Sequence, residues 1–159
     1  MKLRVAIVAL SLFTLHAHAQ QSVPRPKLVV GIMVDQMRWD YLYRFYDRYG
    51  EGGFKRMLNE GFSCENTYIP YVPTYTAIGH SCVYTGSVPA IHGIAGNDFI
   101  IQQTGQRMYC TQDDNVSGVG TDQAEGKQSP RNLLVSTITD QLKLATNFHS
   151  KVIGIAIKD

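Results

Sequence analysis

The stretch Lys27-Leu-Val-Val-Gly-Ile-Met-Val-Asp35 is apolar at nearly every position and stops on an acid. A half-exposed strand alternates polar with apolar residues, whereas a strand covered on both faces of a parallel sheet is apolar throughout. The run predicts a buried strand over Lys27–Val34 with Asp35 at its carboxyl end. Lys151–Ile157 is a second β-branched run, leading into Lys158-Asp159, and predicts a second buried strand. Helical sequence lies between the two, so the expected fold class is α/β, a layered domain with a largely parallel sheet. Sites in such sheets gather at the carboxyl ends of strands, which singles out Asp35 and Lys158.

Between the two runs, Met37 to about Tyr49 is compatible with a helix carrying Trp39, Tyr43 and Tyr46, ended by Gly50 and the Gly52-Gly53 pair. A short helix from Phe54 to Asn59 follows. Pro70 and Pro73 then hold the chain out of helix, and a new helix is expected from Thr76 to about Tyr84, closing at Thr85-Gly86. Asp98 to Thr111 reads as a hairpin around Thr104-Gly105. Asp113 to Lys127 is polar and aperiodic, a surface loop. Ser129-Pro130 is a helix start, and Leu134, Ile138, Leu142 and Ala145 lay an apolar stripe through about Asn147.

Residues 1–19 read as an export signal: Lys2 and Arg4, the apolar run Val5 to Leu15, then Ala17-His18-Ala19 as a cleavage site. The apolar run is too short to span a bilayer, and no later segment predicts a membrane span. A mature chain over 20–159, periplasmic or secreted, is expected. Loss of Lys2 and Arg4 brings acidic and basic residues into balance, so binding of nucleic acid by phosphate neutralisation is not supported. In an oxidising space the three cysteines favour a Cys64–Cys110 bridge, both lying in polar segments, with Cys82 inside an apolar helix as a buried small hydrophobe. Sequence does not fix that pairing, and nothing in it specifies an oligomeric state.

Chemistry concentrates in Val72-Pro73-Thr74-Tyr75-Thr76-Ala77-Ile78-Gly79-His80. A threonine before a helix is ordinarily an N-cap. Set beside a strand-end carboxylate it becomes half of a metal-activated nucleophile, because a free hydroxyl is scarcely ionised at neutral pH and a dication stabilises its alkoxide.

Val34-Asp35-Gln36-Met37-Arg38, Thr74-Tyr75-Thr76-Ala77-Ile78-Gly79-His80, Tyr84-Thr85-Gly86, His92-Gly93-Ile94-Ala95-Gly96-Asn97 and Ile157-Lys158-Asp159 together resemble the amino-terminal part of the alkaline phosphatase superfamily. The resemblance is nearest to the PafA-type periplasmic alkaline phosphatases, relatives of the type I phosphodiesterase/nucleotide pyrophosphatase family. It implies an alkaline-phosphatase-like layered sandwich, of which 20–159 would be the incomplete amino-terminal portion. It also implies Asp35 as a zinc ligand, Thr76 as nucleophile and zinc contact, and Asn97 and Lys158 as phosphate contacts. Two Zn2+ ions per complete site, a phosphothreonine intermediate and release by zinc-activated water follow from the same likeness, with phosphate monoesters as substrates. His80 and His92 have no assigned ligand role in that pattern.

The remaining zinc ligands of that family would lie beyond Asp159, so the 159 residues alone are expected to be inactive. Two other readings share the motifs. A phosphodiesterase or nucleotide pyrophosphatase would use Asp35 and Thr76 without the lysine, and a noncatalytic exported protein would bind phosphate or a partner on the same scaffold.

Overall fold

The computed structural model describes residues 25–157, which fall into two units, 25–32 and 33–157. The export signal over 1–19 and the phosphate contact Lys158 lie outside the described residues. The larger unit runs α1 (Tyr41–Arg44), a 3-10 turn (Tyr46–Arg48), α2 (Phe54–Glu60), α3 (Thr76–Thr85) and α4 (Pro89–His92). It continues with β1 (Asp98–Ile100), β2 (Arg107–Tyr109), 3-10 turns at Ala124–Gly126 and Pro130–Asn132, and α5 (Ile138–Ala145).

The expected α/β sandwich with a largely parallel sheet is not what the chain forms. Among the described residues the sheet is two-stranded and antiparallel, pairing Asp98 with Tyr109, Phe99 with Met108 and Ile100 with Arg107, and helix predominates. Neither Lys27–Val34 nor Lys151–Ile157 is a strand. Val29 and Ile32 are each 75% exposed, and Ile155 is 94% exposed. A strand exists only as a member of a ladder. An apolar run signals burial without supplying the neighbouring backbone that would make it one.

Two helix expectations also fail in part. The Met37–Tyr49 helix is cut at Phe45, whose φ of −109° and ψ of 15° leave the helical region. Tyr49 Oη donates at 2.7 Å to the carbonyl of Tyr41, the first residue of α1, which also accepts the Phe45 amide at 3.2 Å. The helix expected from Ser129-Pro130 stops after one 3-10 turn, although Ser129 does cap it by accepting from the Arg131 amide. Leu133 is extended and the Leu134 amide bonds the His92 carbonyl instead. The chain re-enters helix at Thr137, where Thr137 and Asp140 form a reciprocal capping box. That second cap satisfies two orphan donors at once and outcompetes the first start.

The shorter elements follow local signals. Gly86 ends α3 at φ 64°, a left-handed position open to glycine, and its amide closes on the Cys82 carbonyl at 2.9 Å. The hairpin turns where Thr104-Gly105 predicted it, with both amides bonded to the Ile101 carbonyl. Ile78 and Ile94 are the buried apolar centre with Cys110, and α3 packs against α4 and α5. Cys64 is an exposed free thiol, so the favoured Cys64–Cys110 bridge is not formed.

Candidate active site

α3 starts at Thr76 because the residues before it are held extended: Val72 precedes a proline, and Tyr75 has φ −78° and ψ 157°. Thr76 is thus the first helical residue, and no side chain of Tyr75 caps the helix. On the opposite side of the sequence, Asp35 sits in a turn whose next residue, Gln36, takes a left-handed φ of 57°. The turn brings the carboxylate to the helix, and Thr76 Oγ1 donates to Asp35 Oδ2 at 3.2 Å across 41 residues. The expected meeting of these two side chains is what the structure contains.

Asn97 is the third residue at this end. Its Oδ1 accepts the Ala77 amide at 2.9 Å. An amide nitrogen cannot accept a hydrogen bond, so the donor dictates the orientation of the group, with Nδ2 on the far side. The Asn97 carbonyl in turn accepts the Cys110 amide at 2.8 Å, which ties the residue to the base of the hairpin. Gly96 makes the tight entry: a Cβ there would lie 2.8 Å from the Asp98 carbonyl oxygen. Three residues with 20 to 41 positions between partners therefore converge on the first turn of α3.

The arrangement is rich in oxygen and open. Asp35 is exposed and Thr76 and Asn97 are half-buried. With its hydrogen committed to Asp35, the Thr76 oxygen keeps its lone pairs beside the positive end of the helix dipole. The two oxygens are close enough to share one hard dication. Among the described residues no cluster of three or more His, Cys, Asp or Glu completes such a site.

The histidines occupy different ground. His80 Nδ1 donates to the Thr76 carbonyl at 2.9 Å within α3, a bond inside the helix and not to Asp35. His92 is fully buried. Its Nδ1 accepts the Ile94 amide at 3.1 Å, so Nε2 carries the proton and faces Cys82 Sγ at 3.2 Å. Burial lowers the His92 pKa, outweighing the backbone hydrogen bond that raises it. Burial, then a hydrogen bond to Cys82, pushes Tyr71 up to about 12. Cys82 is thus half-buried between two polar partners rather than a plain apolar filler. The Tyr71–Cys82–His92 contact was hidden from sequence analysis because its members are separated along the chain and none has a local signature. The Thr137-x-x-Asp140 box, by contrast, was readable as a capping signature.

Comparison with known proteins places this geometry in context. Residues 29–155 match the family described as type I phosphodiesterase / nucleotide pyrophosphatase. The chain is 76% identical over 147 residues to a Myroides odoratus protein named calcium-transporting ATPase, covering 92% of this chain and 27% of that one. It is 62% identical over 146 residues to alkaline phosphatase PafA of Elizabethkingia meningoseptica, covering 91% of this chain and 27% of PafA. The crystal structure of wild-type PafA superposes with a TM-score of 0.83 at 63% identity, over 87% of this chain and 27% of that one. A PafA variant in which a threonine, an asparagine, a lysine and an arginine are replaced gives the same TM-score. The chain spans under a third of the length of the curated relatives it matches.

Proposed function

The chain belongs to the type I phosphodiesterase / nucleotide pyrophosphatase family, and from that premise we propose that it carries the nucleophile of a zinc-dependent alkaline phosphatase. The reaction is hydrolysis of phosphate monoesters through a phosphothreonine at Thr76. One observation carries the reading: a threonine at the first position of a helix donates its proton to a carboxylate 41 residues away. Its chemistry agrees with the name of the PafA relative.

Asp35 and Thr76 are the residues that would hold a zinc ion, and both offer oxygens suited to a dication. When bound, zinc supplies the positive charge that makes a threonine oxygen nucleophilic at neutral pH. The remaining steps belong to the chain. Asp35 turns the Thr76 hydrogen away from substrate. The Thr76 hydroxyl proton leaves along its hydrogen bond to Asp35 and passes to solvent. Thr76 Oγ1 attacks phosphorus in line, its bond to phosphorus forms as the bond to the leaving alkoxide breaks, and the alkoxide takes up a proton from solvent. Asn97 Nδ2 donates to a phosphoryl oxygen, and Lys158 adds a cation at the same group. Water then cleaves the phosphothreonine and returns Thr76 as a hydroxyl with free phosphate. Export guided by residues 1–19 would place this activity in the periplasm or outside the cell, and 20–159 would form the amino-terminal part of the catalytic domain.

The family description also covers diesterases, and the Myroides relative has the name of an ATPase. Turnover of an aryl phosphate monoester, the matching diester and ATP by the full-length protein separates these. The proposal expects the monoester to be preferred, and Thr76→Ala to lower its kcat/KM by roughly a thousandfold or more. A diester preference would move the assignment to phosphodiesterase. A Thr76→Ala variant that still binds phosphate, beside a wild type with no turnover, would point to a noncatalytic binder.

A further inference from the structure

The nucleophile helix lacks a cap of its own. Tyr75 occupies the N-cap position with the extended backbone such a residue needs, but a phenol on that side chain makes no bond to the helix. The Ala77 amide, which a serine or aspartate at position 75 would ordinarily satisfy, is taken by Asn97 Oδ1 from twenty residues downstream. We propose that Asn97 is a positioning residue for Thr76: it caps the nucleophile helix from outside and thereby fixes where the Thr76 oxygen sits. The inference rests on the reading of Thr76 as nucleophile, and it assigns to Asn97 a task separate from donating to phosphate.

The geometry separates the two tasks by atom. The carbonyl end of the side chain faces the helix because only it can accept from the Ala77 amide. The amino end is left for a ligand. Rigidity comes from behind, where the Asn97 carbonyl accepts the Cys110 amide at 2.8 Å and the next residue, Asp98, begins the paired strand β1. The hairpin is therefore a strut. It holds an acceptor against the first turn of α3, and a reacting atom misplaced by about 1 Å can cost a hundredfold in rate.

The test uses the full-length protein with Asn97→Asp, Asn97→Ala and the double variant Asn97→Ala with Tyr75→Ser. Asn97→Asp keeps the acceptor and loses the donors; Asn97→Ala loses both; the added serine restores a cap within the helix. Hydrogen exchange at the Ala77 amide is read beside kcat and KM for an aryl phosphate. Exchange in Asn97→Asp should match wild type, while Asn97→Ala should exchange roughly fivefold faster or more. The double variant should recover slow exchange and part of kcat, with KM still raised. Ala77 exchange indifferent to Asn97→Ala, or equally fast in Asn97→Asp, overturns the cap. A restored cap with no recovery of kcat overturns its positioning role. If Asn97→Ala does not fold, exchange in Asn97→Asp against wild type decides alone, equal rates supporting the cap and faster exchange overturning it. A wild type without phosphatase turnover would instead remove the reading of the site, and the exchange data would still judge the cap.

Discussion

The two ends of α3 solve opposite problems with polar side chains. At the head, the Thr76 side chain donates to Asp35 and the Asn97 side-chain oxygen accepts the Ala77 amide, which leaves the Thr76 lone pairs and the Asn97 amino group for a ligand. Toward the tail, Tyr71, Cys82 and His92 spend their bonding capacity on one another and on the Ile94 amide, with His92 fully enclosed. By residue type alone the tail looks the better metal site, since cysteine and histidine are the familiar soft ligands. Its hydrogen bonds say otherwise. Nδ1 of His92 already accepts an amide proton, so Nε2 holds a proton where a metal would need a lone pair. On the proposed function, reactivity in this helix follows unspent hydrogen-bonding capacity more closely than residue identity.

If that contrast is right, mutations at the head remove activity and mutations at the tail remove stability. After Thr76→Ala itself, the largest effect is expected at Asp35. Asp35→Asn keeps the shape and discards the charge, and turnover by the full-length protein should fall at least about a hundredfold, since even indirect ligand partners reach that magnitude. Thermal unfolding should barely move, because Asp35 is exposed. A drop in melting temperature that matches the loss of turnover would erase the distinction between the two ends.

His92→Ala should do the reverse. It empties a fully buried site and leaves the Ile94 amide without its acceptor, a destabilisation of about 3 kcal/mol, measured by denaturant unfolding. Turnover per folded molecule should stay near wild type. The same residue sets a pH dependence. Its folded pKa lies below the ordinary 6.5, so the unfolded chain binds the proton first. The stability it contributes is complete above pH 6.5 and is lost as pH falls through the depressed folded value. Unfolding free energies measured downward from pH 7 should decline by at most about 1.4 kcal/mol per pH unit from this group, and His92→Ala should flatten that part of the curve. The smallest effect belongs to Tyr71→Phe, which removes one donor to Cys82 and should cost about 1 kcal/mol in the same unfolding experiment.

Local punctuation was the legible part of this chain. Gly86 closing α3, Thr104-Gly105 turning the hairpin and the glycine pair before α2 each act within a few residues, and the structure uses each of them. The sheet was misread for the same reason in reverse. Leu28, Val29 and Ile155 have strand-like chemistry, yet pairing depends on backbone that no run of apolar residues encodes. The site stands between these cases. Asp35, Thr76 and Asn97 could be named from their residue types and from likeness to a family. The bond from Asn97 Oδ1 to the Ala77 amide could not, because it depends on how the hairpin base meets α3.

The central claim is that the Thr76 oxygen, held by Asp35, is the atom that takes the phosphoryl group. Full-length protein quenched with acid during turnover of a phosphate monoester, then digested and mapped by mass spectrometry, tests it directly. The predicted result is phosphate on Thr76, absent from the Thr76→Ala variant. Phosphate on a different residue, or a Thr76→Ala variant that still turns over substrate at the wild-type rate, would contradict it.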